Sequence, residues 1–386
     1  MDAFAKVSLT AALAILAACA TAPTDYPKAP SFALEDTRTT ELGRRVSELT
    51  RTHAADESGF YVLTEGVDAL AARLILADRA ERSIDAQYFI VEGDLVGTLF
   101  IDRLLAAADR GVRARLLIDD QYTIGDDAAI AAIDSHPNLE IRVFNPFSHR
   151  SSARLFEYVT DLDRVDHRMH NKSFTVDNQV SIIGGRNIAD DYFDANRELE
   201  FGDLDVAGFG PVAKGVSQAF DTHWNSEFAF PVGALVDSTT DPGALRKLRE
   251  RHSRTLEDPA NATYRAGLQS SIVDNMLDPQ FPLFWGTATV VADDPAKAKT
   301  PDEVTTVRSL LSPKVQAAEF ELLVVSPYFV LLEAGQESFR KLRERGVRIV
   351  VLTNSLASND MVPAHAGYAA SRENLLRWGV ELHELK

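Results

Sequence analysis

The sequence predicts an α/β protein of two homologous lobes, each with a mixed β-sheet flanked by helices, the second lobe being incomplete. Two observations point to this class. Apolar strands alternate with amphipathic helices, beginning with the strand 84–91, the helix 95–111 and the strand 112–120. Such alternation favours a sheet with a substantial parallel part. The second observation is that this order of elements occurs twice.

The repeat lies about 235 residues after the first copy, in the stretch 321–355. Both copies contain a strand, a Tyr-Phe pair, a helix, the tripeptide Gly-Val-Arg and another strand. Tyr88 aligns with Tyr328, and Gly111 aligns with Gly346. Any two strand–helix–strand units look broadly alike, but the shared pairs at matching spacing favour two homologous lobes.

The first residues have the form of a secretory signal. One lysine precedes an apolar run, Val7–Ala18, that is too short to span a bilayer. The tetrapeptide Leu16–Cys19 resembles the bacterial lipobox, in which the cysteine is lipidated, and Cys19 is the only cysteine of the chain. The sequence therefore predicts a lipoprotein, with an ordinary signal peptide as the alternative.

The composition of the segments predicts five parts. A run rich in Pro, Ala and Thr after the cysteine suits a flexible tether, and the segment between the lobes carries no identifiable chemistry. The parts are a signal peptide (1–18), a tether (19–58), a first lobe (59–235), a connecting segment (236–302) and a partial second lobe (303–386).

The net charge is strongly negative. The chain has 40 Lys and Arg against 57 Asp and Glu, which gives −17 at pH 7. Nucleic-acid binding depends largely on Lys and Arg contacts that release counterions from the phosphates. We therefore expect no nucleic acid among the partners, although a local basic pocket could still hold one phosphate group.

The stretch HNKSFTVDNQVSIIGGRN (170–187) predicts a β-hairpin with polar groups where Val or Ile would suit a strand better. Asp177 and Asn178 form its turn, since both residue types tolerate unusual backbone angles. The pair Gly184–Gly185 allows a tight approach of the chain, which returns Arg186 toward the beginning of the hairpin.

Three side chains of this hairpin suggest phosphoryl chemistry. His170 and Lys172 are two residues apart and project to the same side of a strand, and Asn187 returns beside them. An imidazole, an ammonium and a carboxamide at one place supply a nitrogen nucleophile and donors for the nonbridging oxygens of a phosphate.

This pattern resembles the motif of the phospholipase D superfamily. His170, Lys172 and Asp177 have its spacing, and six residues later follows Gly-Gly-Arg-Asn (184–187). The superfamily usually has Gly-Ser-x-Asn, and Gly185 in place of the serine is a variant of its cardiolipin synthase members. Further stretches resemble one bacterial branch of those enzymes, namely GGRNIADDYFD, SPYFV and TNSLASNDMVPAHAGY.

The resemblance implies phosphodiester exchange without a metal or other cofactor. One histidine attacks phosphorus to give a phosphohistidine, and a second histidine protonates the leaving alcohol. His170 would be one of the two, with Lys172 and Asn187 holding phosphate oxygens. Phosphatidylglycerol is the expected substrate, phosphatidylethanolamine is an alternative, and an accessory protein is a further conceivable partner.

The resemblance also implies supporting residues. Asp177 is expected to give structural or electrostatic support. A carboxylate after the motif commonly orients the histidine through its other nitrogen, and Asp203 is our first candidate, with Glu198 in reserve. Asp203 is equally compatible with a solvated charge at a strand end.

Four residues are candidates for contact with substrate. They are Arg186 in the motif, Tyr88 and Tyr328 in the two repeats, and His365 in the second lobe. For His365 a loop position without a catalytic role is an equal alternative.

The superfamily builds its active site from two such motifs, one in each lobe, but this sequence has a single His-x-Lys. The repeat offset would place a second motif about 20 residues past Lys386. Three explanations are a longer protein, two paired chains, or an inactive remnant. We favour the first, because a partial second lobe would obstruct symmetric pairing. We expect the isolated chain to fold poorly in its second lobe and to have little activity.

The expected function is a phosphatidyltransferase that forms cardiolipin. The alternatives are a hydrolase that acts on the same phosphodiester, and a noncatalytic lipid-binding lipoprotein. The lipobox predicts a lipid-anchored protein at the periplasmic face of a bacterial membrane. Ala20 follows the cysteine where Asp often retains lipoproteins in the inner membrane, so the outer membrane is favoured.

Overall fold

The structure is a computed structural model. It describes residues 26–121, 127–147, 167–195, 201–236, 241–300, 303–359 and 361–385. The chain divides into two compact units between Val304 and Thr305.

The described strands of the first unit form one nine-stranded sheet. They are β1 (Glu57–Leu63), β2 (Ser83–Tyr88), β3 (Arg113–Asp119), β4 (Leu139–Phe144), β5 (Ser173–Val176), β6 (Val180–Gly184), β7 (Asp205–Phe209), β8 (Ala229–Pro231) and β9 (Phe284–Thr287). Their order is β8-β4-β3-β2-β5-β6-β7-β1-β9. The neighbours β2, β3 and β4 are parallel, and the other pairs are antiparallel. The predicted α/β class with a mixed sheet is confirmed.

The helices of the first unit cover both faces of this sheet. They are α1 (Glu41–Leu49), α2 (Gly66–Arg79), α3 (Leu95–Asp109), α4 (Asp127–Asp134), α5 (Pro211–Trp224), α6 (Ala244–Glu257), α7 (Ala262–Gly267) and α8 (Ile272–Met276). Side chains alternate along β3, so Leu116 and Ile118 pack in the core that contains α2, α3 and α4, whereas Leu117 packs with Phe220 and Trp224 of α5.

The parallel strands fix the position of the candidate site. Because β2, β3 and β4 run in the same direction, their carboxyl ends at Tyr88, Asp119 and Phe144 lie along one edge of the sheet. Ligands in α/β proteins commonly bind outside this edge. The hairpin strand β5 runs antiparallel to β2, so the residues that precede β5 reach the same edge.

The second unit repeats part of the first. Its described elements are α9 (Val307–Gln316), β10 (Glu321–Val325), α10 (Glu333–Glu344), β11 (Arg348–Asn354), α11 (Val362–Arg377) and β12 (Glu381–Leu385). The three strands form a parallel sheet in the order β10-β11-β12. Gly111 and Gly346 each follow a helix with positive φ, 92° and 87°, where a residue without Cβ is favoured. The predicted structural repeat is confirmed.

The prediction of a flexible tether over 19–58 is wrong for residues 26–58. This segment contains α1 and packs on the first unit through its backbone. Arg115 donates to the carbonyl of Ser31 at 2.8 Å, and Arg142 donates to the carbonyl of Ala29 at 2.8 Å. These bonds bury arginine side chains that emerge from β3 and β4. Composition alone misled here, because Pro and Ala are also compatible with an extended segment that other elements hold in place.

The segment 236–302 is more than a connection between the lobes. In its described part, α6 packs on α3 and α4, and β9 adds to the edge of the sheet beside β1. The segment therefore completes the first unit, and its end contributes Lys297 to the candidate site described below.

Among the described residues, no helix has the length and apolar character needed to cross a membrane.

Candidate active site

The hairpin predicted at 170–187 is present with the expected turn. Strands β5 and β6 pair around Asp177 and Asn178, whose φ angles are 51° and 52°. The Asp177 carboxylate accepts hydrogen bonds from the backbone N–H groups of residues 81, 82 and 83 at 3.1, 2.8 and 2.9 Å. Asp177 follows the end of β5 that is remote from His170, so it anchors the turn and cannot act on the reacting group.

His170 and Lys172 lie just before β5, beyond the carboxyl end of β2. Nζ of Lys172 is 3.2 Å from Nδ1 of His170 and donates to the carbonyl oxygen of His170 at 3.0 Å. The ring of Phe89 lies 4.6 Å from the imidazole, measured between centroids, and 5.3 Å from Nζ of Lys172. The predicted meeting of imidazole and ammonium is therefore present, with an aromatic ring beside both.

The surroundings change the charge of both groups. Burial, together with the positive charges of Lys172 and Lys297, lowers the pKa of the His170 imidazole to about 4. Burial also lowers the pKa of the Lys172 ammonium to about 8, while the carboxylates of Asp203 and Asp119 oppose that shift. At neutral pH the imidazole is therefore neutral, and most Lys172 side chains remain charged.

Asp119 holds the segment that carries the histidine, a role that our sequence analysis missed. Its side chain, at the carboxyl end of β3, accepts from Nε of Arg168 at 3.1 Å and from the backbone N–H of Met169 at 2.9 Å. Burial raises the pKa of Asp119 to about 6. The sequence feature that indicates this role is the pair Asp119–Asp120 at the end of a buried strand. Side chains at that end lie at the edge of the sheet where the site forms.

A small pocket of ≈ 50 Å³ adjoins His170. One wall comes from the residues before β5 and from His223 of α5. The opposite wall comes from the segment 293–298, which includes Lys297. Sequence reasoning missed Lys297 because it lies far along the chain, in a segment without a recognisable motif.

Arg186 and Asn187 do not line the His170 pocket and instead bond to neighbouring segments of the chain. Arg186 is buried, and its guanidinium donates to the carbonyl oxygens of residues 63, 64 and 192. The prediction that Arg186 contacts substrate is therefore wrong. Asn187 accepts from the backbone N–H of Ile90 at 3.1 Å and donates to the hydroxyl of Tyr192 at 2.8 Å. Ile90 follows Phe89, so these bonds position the ring that packs on His170. The prediction that Asn187 holds a phosphate oxygen is wrong, because its side chain is buried and its amide is used by these two bonds.

Among the described residues no hydrogen bond joins Asp203 to His170, and Nδ1 of His170 lies 3.2 Å from Nζ of Lys172. The Asp203 carboxylate instead acts electrostatically on Lys172. It also lies against the hairpin: a Cβ at Gly185 would be 2.1 Å from its Oδ1. A serine at this position would therefore require the Asp203 side chain to move. The reserve candidate, Glu198, lies outside the described residues.

The predicted substrate contact of Tyr88 is wrong. Its side chain is 0% exposed, and its hydroxyl accepts from Nε of Arg73 at 2.9 Å. Arg73 in turn pairs with the buried carboxylate of Asp205 at 2.9 Å. Every residue of β2 is buried. The alternation of side chains along this strand therefore could not show which residues face the core and which face the candidate site.

Two predicted site residues belong to the second unit. Tyr328 is 41% exposed. His365 lies in the first turn of α11 rather than in a loop, with its ring 5.8 Å from that of Tyr368. Both remain predictions as substrate contacts. Cys19 lies outside the described residues.

The chain is similar in sequence to known proteins. Residues 74–224 match the family described as cardiolipin synthase, PLD-like domain. The chain is 41% identical over 336 residues to cardiolipin synthase C of Escherichia coli strain K12, which is 86% of this chain and 70% of that protein. It is 31% identical over 355 residues to an uncharacterized protein of Helicobacter pylori, which is 91% of this chain and 70% of that protein.

A solved structure supports the fold. The crystal structure of phosphatidylserine synthase from Haemophilus influenzae aligns with a TM-score of 0.52 at 12% identity, over 86% of this chain and 73% of that one. The chain belongs to the cardiolipin synthase family of phospholipase D-like proteins.

Proposed function

We propose that this chain transfers a phosphatidyl group between phospholipids through a covalent intermediate on His170. The observation that carries the proposal is the charge pattern around the imidazole. A His170 pKa of about 4 leaves the ring neutral at physiological pH. The ammonium of Lys172 lies beside the ring, whereas Lys297 of the same pocket is paired with the carboxylate of Asp293. A neutral imidazole has the lone pair that an attack on phosphorus needs, and ammonium groups attract the phosphate oxygens.

The transfer has two steps. First, a ring nitrogen of His170 bonds to phosphorus and the P–O bond to the leaving alcohol breaks, while a general acid gives the alcohol oxygen a proton. In the superfamily that acid is a second histidine. Next, the hydroxyl oxygen of the acceptor bonds to phosphorus, the N–P bond breaks, and the hydroxyl proton returns to the acid. With phosphatidylglycerol as both donor and acceptor, the products are cardiolipin and glycerol.

The choice of partners follows from the relatives and from charge. Membership of the cardiolipin synthase family supports phosphatidylglycerol as substrate, with phosphatidylethanolamine as an alternative donor. The net charge of −17 argues against nucleic acid as substrate. An accessory protein remains a further proposed partner.

Expression in a bacterium that lacks its own cardiolipin synthases tests the function and supplies any accessory protein. Because the sequence has a single His-x-Lys motif, we expect a low but measurable amount of cardiolipin in the lipid extract of cells with the parent chain and none with His170→Ala. The control is His53→Ala, because His53 stacks on Trp285 instead of lining the His170 pocket. Phosphatidic acid in place of cardiolipin would show a hydrolase, and an unchanged lipid extract would support a noncatalytic lipid-binding protein.

We also propose a lipid anchor at Cys19 on the periplasmic face, with the outer membrane favoured. The support is the sequence Leu16–Cys19 and its resemblance to a lipobox. Cells fed an alkyne-tagged fatty acid should label the parent chain but not Cys19→Ser. Label on the variant would contradict the anchor, and fractionation of the labelled chain would identify the membrane.

A further inference from the structure

A second cavity lies on the other side of the sheet from α5. It is bounded by the sheet and by α3, α4 and α6, has a volume of ≈ 310 Å³, and shares no lining residue with the His170 pocket. Its wall is aliphatic, formed mainly by Ile101, Leu116, Ile118, Ile130, Ile133 and Leu248.

The wall determines what this cavity can hold. An apolar cavity of about 150 Å³ stays dry and takes up small hydrocarbons, and this one is larger. Ligand pockets usually combine an apolar wall with a few polar groups that fix orientation. Apart from the imidazole of His252, the described lining has no aromatic ring that would stack on a flat ligand. An aliphatic wall of this kind suits a hydrocarbon chain.

Three of the five polar side chains in the lining lie on α6, and the other two are Glu92 and Thr98. Arg251, His252 and Thr255 line the cavity beside Leu248. Arg251 is exposed, and Nδ1 of His252 is buried without a hydrogen-bond partner among the described residues. A cation and an unused imidazole nitrogen therefore lie where the aliphatic wall ends.

Helix α6 is basic on a strongly acidic protein. Its sequence ALRKLRERHSRTLE has five Lys and Arg against two Glu, whereas the whole chain carries −17. Basic amphipathic helices bind anionic membrane surfaces through charge and buried apolar area together. Three of the basic side chains, Arg246, Lys247 and Arg249, are paired with carboxylates. Arg251, in the cavity lining, is therefore the basic side chain that complements an anionic headgroup, and the cavity beneath it complements an acyl chain.

We propose that this cavity holds one acyl chain of an anionic phospholipid, with the headgroup phosphate beside Arg251 and His252. The site is separate from the pocket of His170 and does not depend on the proposed transfer. It would fix the first unit to a lipid surface through α6.

Photo-crosslinking of the full chain tests the proposal. The probe is phosphatidylglycerol with a diazirine near the end of one acyl chain, in vesicles, and crosslinked peptides are identified by mass spectrometry. We expect crosslinks on peptides that contain Ile101, Ile130 or Ile133. Ala129→Phe, which fills the cavity, should reduce them about tenfold. The matched control is Ala128→Phe, because Ala128 is exposed and does not line the cavity.

A second pair of variants tests the headgroup. Arg251→Glu should reduce crosslinking about tenfold, whereas Arg246→Glu makes the same charge change on an exposed residue of α6 outside the cavity and should have a smaller effect. Equal losses in the two variants would overturn the headgroup site, because they would indicate general attraction to the surface.

Two further outcomes would overturn the acyl site: crosslinks confined to peptides outside the cavity, or equal crosslinking of Ala129→Phe and the parent chain. Equal labelling by a phosphatidylcholine probe would overturn the preference for an anionic lipid. His170→Ala should crosslink like the parent chain, so a failure of the transfer proposal is distinguishable from a failure of this one.

Discussion

Nζ of Lys172 lies 3.2 Å from Nδ1 of His170, in the position where the sequence had suggested a carboxylate. The histidine therefore has an ammonium as its immediate neighbour. Burial is the larger cause of the lowered pKa of the imidazole, and the charge of Lys172 adds to it. The consequence is a neutral ring beside the Lys172 ammonium, which suits attack on a phosphate diester.

The first prediction concerns the loss of activity at high pH, which is the alkaline limb of the pH–rate profile. The Lys172 ammonium has a pKa of about 8, so it loses its charge above that pH, and KM for the phospholipid should then rise. Lys172→Arg keeps a cation at all accessible pH values and should remove this limb. The acid limb should lie near pH 4, where His170 gains a proton. Initial rates between about pH 3 and 10 measure both limbs, and an alkaline limb unchanged in Lys172→Arg would refute the assignment.

The second prediction separates two roles for Asp203. Its negative charge raises the pKa of Lys172, so Asp203→Asn should move the alkaline limb to lower pH while transfer persists at pH 6. If Asp203 instead oriented the imidazole, the variant would lose kcat at every pH and leave the limb in place. The same pH series on both proteins distinguishes the two roles.

The third prediction concerns the hairpin turn. Asp177→Ala leaves the N–H groups of residues 81, 82 and 83 without their acceptor. We expect a loss of about 3 kcal/mol in the free energy of unfolding. Asp177→Asn keeps one acceptor oxygen and should lose less. Denaturant titration measures both, and equal stability of Asp177→Ala and the parent chain would show that the turn does not need this anchor.

The fourth prediction tests the burial of Tyr88. Tyr88→Phe removes the acceptor for Nε of Arg73, so it should lower the free energy of unfolding by about 1 kcal/mol. KM for phosphatidylglycerol should not change, because the side chain is buried. A raised KM with unchanged stability would restore the substrate contact that the sequence suggested.

Local patterns were sufficient for the hairpin and for the repeat. The turn at Asp177–Asn178 needs residues that accept positive φ, and the glycines after the two repeated helices need the same, so residue types reveal them directly. The sequence predicted Asp203 as a candidate site residue but did not predict that it acts on Lys172. That interaction depends on how closely the chain at Gly185 approaches the residues before β7.

Other parts of the site depend on contacts that no local pattern encodes. Lys297 reaches His170 from a segment far along the chain. Residues 26–58 pack as backbone against arginines of the sheet, although their composition suggests a tether. Such contacts arise from the tertiary fold.

The most direct test of the account is to trap the intermediate. The parent chain is mixed with phosphatidylglycerol, quenched in base to preserve phosphohistidine, and digested for mass spectrometry. We predict a phosphatidyl adduct on the peptide that contains His170, and its absence in His170→Ala. Turnover to cardiolipin with the adduct on a different residue, or cardiolipin formation by His170→Ala, would contradict the central claim.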